Sequence, residues 1–202
     1  MIRSLLWTLV LLLAAAPARA AVLIEARLEG VPLRIEAALP GEPALAGVLV
    51  TVAGRTRLVD PEAGTVALLG ADGTPDAPKP VRAADAPVGA LMLAPLGGGA
   101  MAAGHVGMYH LLTEDGRICG EVLAAAWMGR YLSGLVRAVA LVQMVEPALA
   151  PRARHGCSPL AFPRWAEVGW PLLAGGRDDA VFRTERIRFD HPLPAALAPP
   201  PR

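Results

Sequence analysis

Two extended runs open the pattern, residues 22–28 and 31–38, in which apolar Leu23, Leu33, Ile35 and Ala37 alternate against polar Glu25, Arg34 and Glu36. Period two is the mark of a half-buried strand, and the intervening Glu29-Gly30 supplies a tight reversal, so these residues predict a hairpin. Further extended runs cover residues 46–52, 55–60 and 65–69, the last two separated by Pro61-Glu62-Ala63-Gly64. Proline early and glycine late in that tetrapeptide suit the backbone angles of a turn. The N-terminal half thus reads as an antiparallel meander.

Residues 71–88 break the pattern. They are crowded with Pro, Asp, Gly and Ala, including Thr74-Pro75-Asp76-Ala77-Pro78-Lys79-Pro80, and they predict an exposed, mobile loop. Residues 88–94 predict a short strand or helical turn that Gly97-Gly98-Gly99 ends. Apolar strands return over residues 106–113 and 118–122, on either side of Glu114-Asp115-Gly116-Arg117. An Asp-Gly pair between apolar runs is a strong local hairpin signal.

From residue 123 to 146 the period lengthens. Leu132, Leu135, Val136, Val139 and Val142 recur at helical spacing, with Arg130, Ser133 and Arg137 on another side, which predicts one principal helix. Arg130, Arg137, Gln143 and Glu146 leave no charge-free stretch long enough to span a bilayer, which needs roughly 20 residues. Pro147 and Pro151 end the helix. Residues 170–173 and 181–189 predict two late strands around Gly175-Gly176, followed by a proline-rich tail over residues 192–202. Short antiparallel strands with one long apolar helix late in the order predict an α+β domain: a curved antiparallel sheet packed on that helix.

The first twenty residues stand apart. A cationic start at Arg3, an apolar run over residues 5–16 and the small residues Ala18-Arg19-Ala20 follow the order of a secretory signal, cleaved before Ala21. The apolar run, about twelve residues, is too short for a membrane anchor. The expected product is a single periplasmic domain, residues 21–202, with no retained transmembrane segment. Losing Arg3 and Arg19 takes 19 basic residues to 17 against 18 acidic. A near-neutral chain without Lys/Arg clusters lacks the counterion-releasing surface that nucleic acid requires. Hydrophobic residues make up 54% of the chain, enough for a real core. The aromatic residues beyond the signal all lie from Tyr109 onward, so the bulkiest packing is expected in the C-terminal half.

Two cysteines in an exported chain, Cys119 and Cys157, predict a disulfide. They are too far apart in sequence for a Cys-x-x-Cys redox or metal unit. His155-Gly156-Cys157-Ser158-Pro159 juxtaposes a base and two nucleophile types, but adjacency alone builds neither an activated nucleophile nor an oxyanion site. No catalytic residue is therefore assigned, and the chain is read as a non-enzyme without cofactor. Met101, His105, Met108 and His110 carry ligand types that suit copper; the preferred reading is packing or solvent contact, and no metal site is assigned. Asp190-His191 reads as a turn. Trp127, Met128, Tyr131 and Leu135 fall within about two helical turns, a stripe that is core and, under an open half-barrel, also a ligand wall.

The order of hairpin, cysteine, long helix, Gly-x-Pro-Leu strand and Pro-Ala-Ala-Leu tail is carried by residues 109–121, the Trp127-centred helix, Gly169-Trp170-Pro171-Leu172 and residues 187–198. It resembles periplasmic proteins related to the lipoprotein carriers LolA and LolB. The resemblance implies an open half-barrel with helices on its concave face, a shape that holds acyl chains in those carriers. Two functions follow as expectations: a binder or carrier of a lipid or other apolar ligand, or a structural protein that binds another envelope protein through a sheet edge or the proline-rich ends.

Overall fold

The computed structural model describes residues 20–42, 44, 47–81, 91–152, 157, 162–175 and 180–199. The strands are β1 (Ala20–Leu28), β2 (Val31–Ala38), β3 (Val48–Val52), β4 (Arg55–Asp60), β5 (Thr65–Leu68), β6 (Lys79–Pro80), β7 (Leu91–Ala102), β8 (His105–Glu114), β9 (Arg117–Ala125), β10 (Trp170–Gly175) and β11 (Ala180–Pro192). They form one open antiparallel sheet of eleven strands, in the order β6-β5-β4-β3-β2-β1-β11-β10-β9-β8-β7. Two meanders run outward from a shared seam, the long pairing of β1 with β11.

Local chemistry explains the hairpins. The turns Glu29-Gly30, Ala53-Gly54, Ala103-Gly104 and Asp115-Gly116 each place two successive residues at positive φ, as two-residue reversals matched to strand twist require. Pro171 sits in β10, between β9 and β11, where a proline cannot donate to a ladder. The register with β9 shifts between Pro171 and Leu173, and the Pro171 carbonyl accepts the Thr184 hydroxyl at 2.8 Å.

Helix is scarcer than the sequence pattern predicts. The expected helix over residues 123–146 is not a single element: Leu123 to Ala125 belong to β9, α1 spans Ala126–Tyr131, and α2 spans Ser133–Val145. The one-helix α+β expectation is corrected accordingly, to a mostly antiparallel sheet with short helices. An all-apolar run such as Leu123-Ala124-Ala125 has no period of its own, so cross-strand pairing with β8 and β10 decides its state. Among the described residues a short helix α3 (Phe162–Trp165) and 3-10 turns at Pro147–Leu149 and Ala195–Leu197 complete the set. No helix among the described residues is long and apolar enough to cross a membrane.

Three further expectations change. The glycine run does not end a strand: β7 continues through it, with a register shift between Pro95 and Gly99 that positive φ at Gly97 and Gly98 permits. Asp190 and His191 are not a turn but strand residues, with His191 opposite Ala21. Of the expected loop, residues 71–81 are organised: Asp72 accepts from the Thr74 amide and hydroxyl at 3.0 and 2.6 Å, and β6 pairs with β5. Its remainder lies outside the described residues, as do residues 1–19 of the expected signal and the His155 and Ser158 of the cysteine segment.

α2 packs on β3, β4 and β5, while α1 touches β10. Between them lie Val50, Val52, Val59, Leu135, Val139 and Val142, all buried; each such side chain contributes about 1.5–3 kcal/mol on burial. Cys119 and Cys157 form a disulfide, Cα atoms 5.8 Å apart, which fastens β9 to the segment after α2. The tail returns to the sheet: Leu197 is buried, and its Cδ2 lies 3.8 Å from where a Cβ on Gly47 would stand.

Candidate functional site

A cavity of about 420 Å³ opens between the helical layer and the sheet near the seam. The sheet side is Val22 of β1, Ala37 to Leu39 at the end of β2, Val48 of β3 and Phe189 of β11; the helical side is Trp127, Met128, Leu132, Gly134 and Leu135. The lining is predominantly apolar, with Asp60 and Glu62 at one rim. Asp60 is occupied there: its Oδ1 accepts the amides of Glu62 and Ala63, both at 2.9 Å.

The break between α1 and α2 shapes this space. Leu132, at the break, is buried and lines the cavity. α1 is held close to the strand beyond it, since a Cβ on Gly129 would stand 3.0 Å from the Gly169 Cα. Trp127 remains 48% exposed, so its ring borders solvent rather than core. It meets His105 and Phe189, with ring centroids 5.7 and 6.1 Å away, and His105 and Phe189 lie 6.2 Å apart. Three rings from α1, β8 and β11 thus gather at this end of the cavity.

Of the stripe singled out in the sequence, Trp127, Met128 and Leu135 line the cavity together. Tyr131 belongs to α1; its side chain is outside the described parts. Val22, Leu39, Val48, Leu132 and Phe189 were not singled out as site residues, and His105 was singled out only as a metal-ligand type, because alternation identifies a buried face but not which residues border a void.

The other clusters resolve differently. His105 stacks in the aromatic group, and His110 Nδ1 lies 3.1 Å from the Met108 carbonyl. Met101 and Met108 are exposed. Cys157 has its sulfur in the disulfide, so it offers no thiolate, although Glu114 lies within 4.8 Å of both sulfurs. On β2, Glu36 accepts from Arg34 at 2.9 and 3.0 Å and pairs with His191 Nε2 at 2.8 Å. Burial pushes the Glu36 carboxyl up, but the hydrogen bonds and charges of Arg34 and His191 outweigh it and hold the group below its ordinary value.

No protein-family model, curated protein or solved structure matches this chain.

Proposed function

We propose that this is an exported, non-enzymatic periplasmic protein that binds or carries a lipid or other apolar ligand, with the open sheet acting as a half-barrel of the kind the resemblance to LolA and LolB implies. The observation that carries this reading is the apolar cavity of about 420 Å³ beneath the broken helix, bordered by a half-exposed tryptophan. Its size falls within the usual range for small-molecule sites, and its lining of Val, Leu, Met and aromatic groups suits a ligand recognised by burial rather than by charge. A folded acyl chain would displace water from this lining and stack against Trp127 and Phe189.

Native mass spectrometry of protein purified from the periplasm, before and after organic extraction, tests the reading. An extractable mass of lipid size supports it, together with quenching of Trp127 fluorescence by a fatty acid bearing bromine on its chain. A bare mass and a flat titration in wild type and Trp127→Phe alike would sink it. Trp165 and Trp170 are buried and provide the internal background.

A second reading, binding of another envelope protein, rests on β7. This twelve-residue strand ends the sheet, and residues 86–113 contain no Asp, Glu, Lys or Arg. Met92, Leu96 and Met101 are exposed along it. Unpaired edge backbone with apolar side chains is what strand addition by a partner requires. Crosslinking in cells that repeatedly captures no stoichiometric partner at residue 101 would remove it.

A further inference from the structure

We propose that the crevice formed by β4, β5, β6 and the end of α2 is a binding site for a phosphate-class oxyanion. It has a volume of about 200 Å³, and its lining includes Arg55, Arg57, Asp76, Lys79 and Val145. Lys79 is the only lysine in the chain.

Arg57 supplies the second observation. Its side chain is only 9% exposed, and Nη2 donates to the carboxylate of Glu146, itself 4% exposed. Its Nη1 is buried with no hydrogen-bond partner among the described residues. Buried donors are almost always paired, so an orphaned guanidinium nitrogen marks a place where an acceptor belongs. Glu146 cannot supply it alone, because Arg55 Nη2 also contacts both its oxygens at 3.3 Å. One carboxylate is shared by two guanidiniums, and Lys79 adds a third cation against Asp76. Among the described residues, three cations thus stand against the carboxylates of Glu146 and Asp76, a balance of one positive charge, the sign that selects an anion.

Phosphate fits this donor set better than a planar carboxylate. Its tetrahedral oxygens accept in several directions at once, which suits donors arriving from two arginines on one strand and a lysine on another. The site is separate from the apolar cavity. Gly134 lines the cavity and Val145 the crevice, so about 16 Å of helix separates them, with the buried Val139 and Val142 on the helix between. The inference stands whether or not the cavity holds a lipid.

Isothermal titration of the oxidised protein with inorganic phosphate, at ionic strength held constant with chloride, tests it. The expected result is a single saturable site, with affinity reduced about tenfold or more in Arg55→Ala/Lys79→Ala, which removes two charge-assisted donors from exposed positions. Arg57→Met/Glu146→Met replaces the buried pair by apolar groups of similar length and should abolish the site while the protein stays folded by circular dichroism. Flotation with vesicles containing phosphatidic acid distinguishes the sources. Capture that free phosphate reverses assigns a lipid headgroup; titration without capture assigns a soluble phosphate. Absence of saturable binding to both probes, or equal binding in the Arg55→Ala/Lys79→Ala variant, overturns the proposal.

Discussion

The two meanders share a topology and differ in almost everything that holds them. β1 to β5 carry an aliphatic core, with Val22, Ile24, Ile35, Val50 and Val59 buried and no aromatic residue. Their tie to the helical layer is polar as well as apolar, through Arg57 and Glu146. The second meander is fastened by rings and a covalent bond. Phe162, Trp170 and Phe182 form a buried cluster with centroids 4.9 to 6.2 Å apart, and the disulfide anchors β9.

The sheet ends differ as well. The first meander closes on the two-residue β6, with Lys79 followed by a proline, a short, charged edge that resists further pairing. The second ends on the long, charge-free β7. An open sheet exposes two edges, and among the described residues one is blunted while the other is long and free of charged side chains.

The largest expected effect breaks the aromatic cluster: Phe182→Ala should cost about 4 kcal/mol by urea denaturation, against about 2–3 for Val50→Ala in the aliphatic half, because more volume and more contacts are lost. Equal losses would mean that the two cores are energetically alike. Reducing the disulfide should cost a similar amount, about 4 kcal/mol in the chain-entropy model for a closed loop of 38 residues. A fall of less than 1 kcal/mol would show that packing already constrains residue 157.

In the first meander, Glu146→Gln should cost about 3 kcal/mol by leaving Arg57 buried without its counter-charge, and Arg57→Met/Glu146→Met should recover most of it. If the double variant is the weaker, the pair stabilises rather than specifies.

Acid separates the halves next. The Glu36 carboxyl is held down in the folded state, so its contribution is complete above the ordinary glutamate value of 4.5 and is lost as pH falls through the lower folded value. Glu36→Gln should flatten that acid limb of the stability–pH curve; an unchanged limb would detach it from this group. The smallest effect belongs to the open edge, where Met101→Glu should alter stability by no more than about 0.5 kcal/mol, while reducing any strand-mediated association seen by light scattering.

Much of the first meander was legible because its extended runs are bounded by turn residues and polar side chains such as Arg34, Glu36, Arg55 and Arg57 interrupt the apolar ones. Val48, Val50 and Val52 face the core with the polar Thr51 on the other side. Hairpins written as Glu-Gly or Asp-Gly were equally plain, whereas Ala103-Gly104 lies in a stretch so uniformly small and apolar that no boundary stands out. The long helix misled because the spacing from Leu132 to Val142 is truly helical, and the apolar residues before it carry no contrary mark. His191 was illegible for another reason: its partner Glu36 is 155 positions away, and no local pattern reports a contact at that distance.

The sequence by itself determined the extended runs of the first meander, the Glu-Gly and Asp-Gly turns, the cysteine pair and the aromatic bias toward the C-terminal half, all consequences of side-chain order along the chain. Tertiary structure alone decided that β11 would insert beside β1, where the helix would break, that Trp127 would meet His105 and Phe189 over a cavity, and that Arg57 would be buried with Nη1 unpartnered among the described residues. These depend on which segments share a face once folded, and that is settled by the free energy of the whole packed arrangement rather than by the preferences of any one stretch.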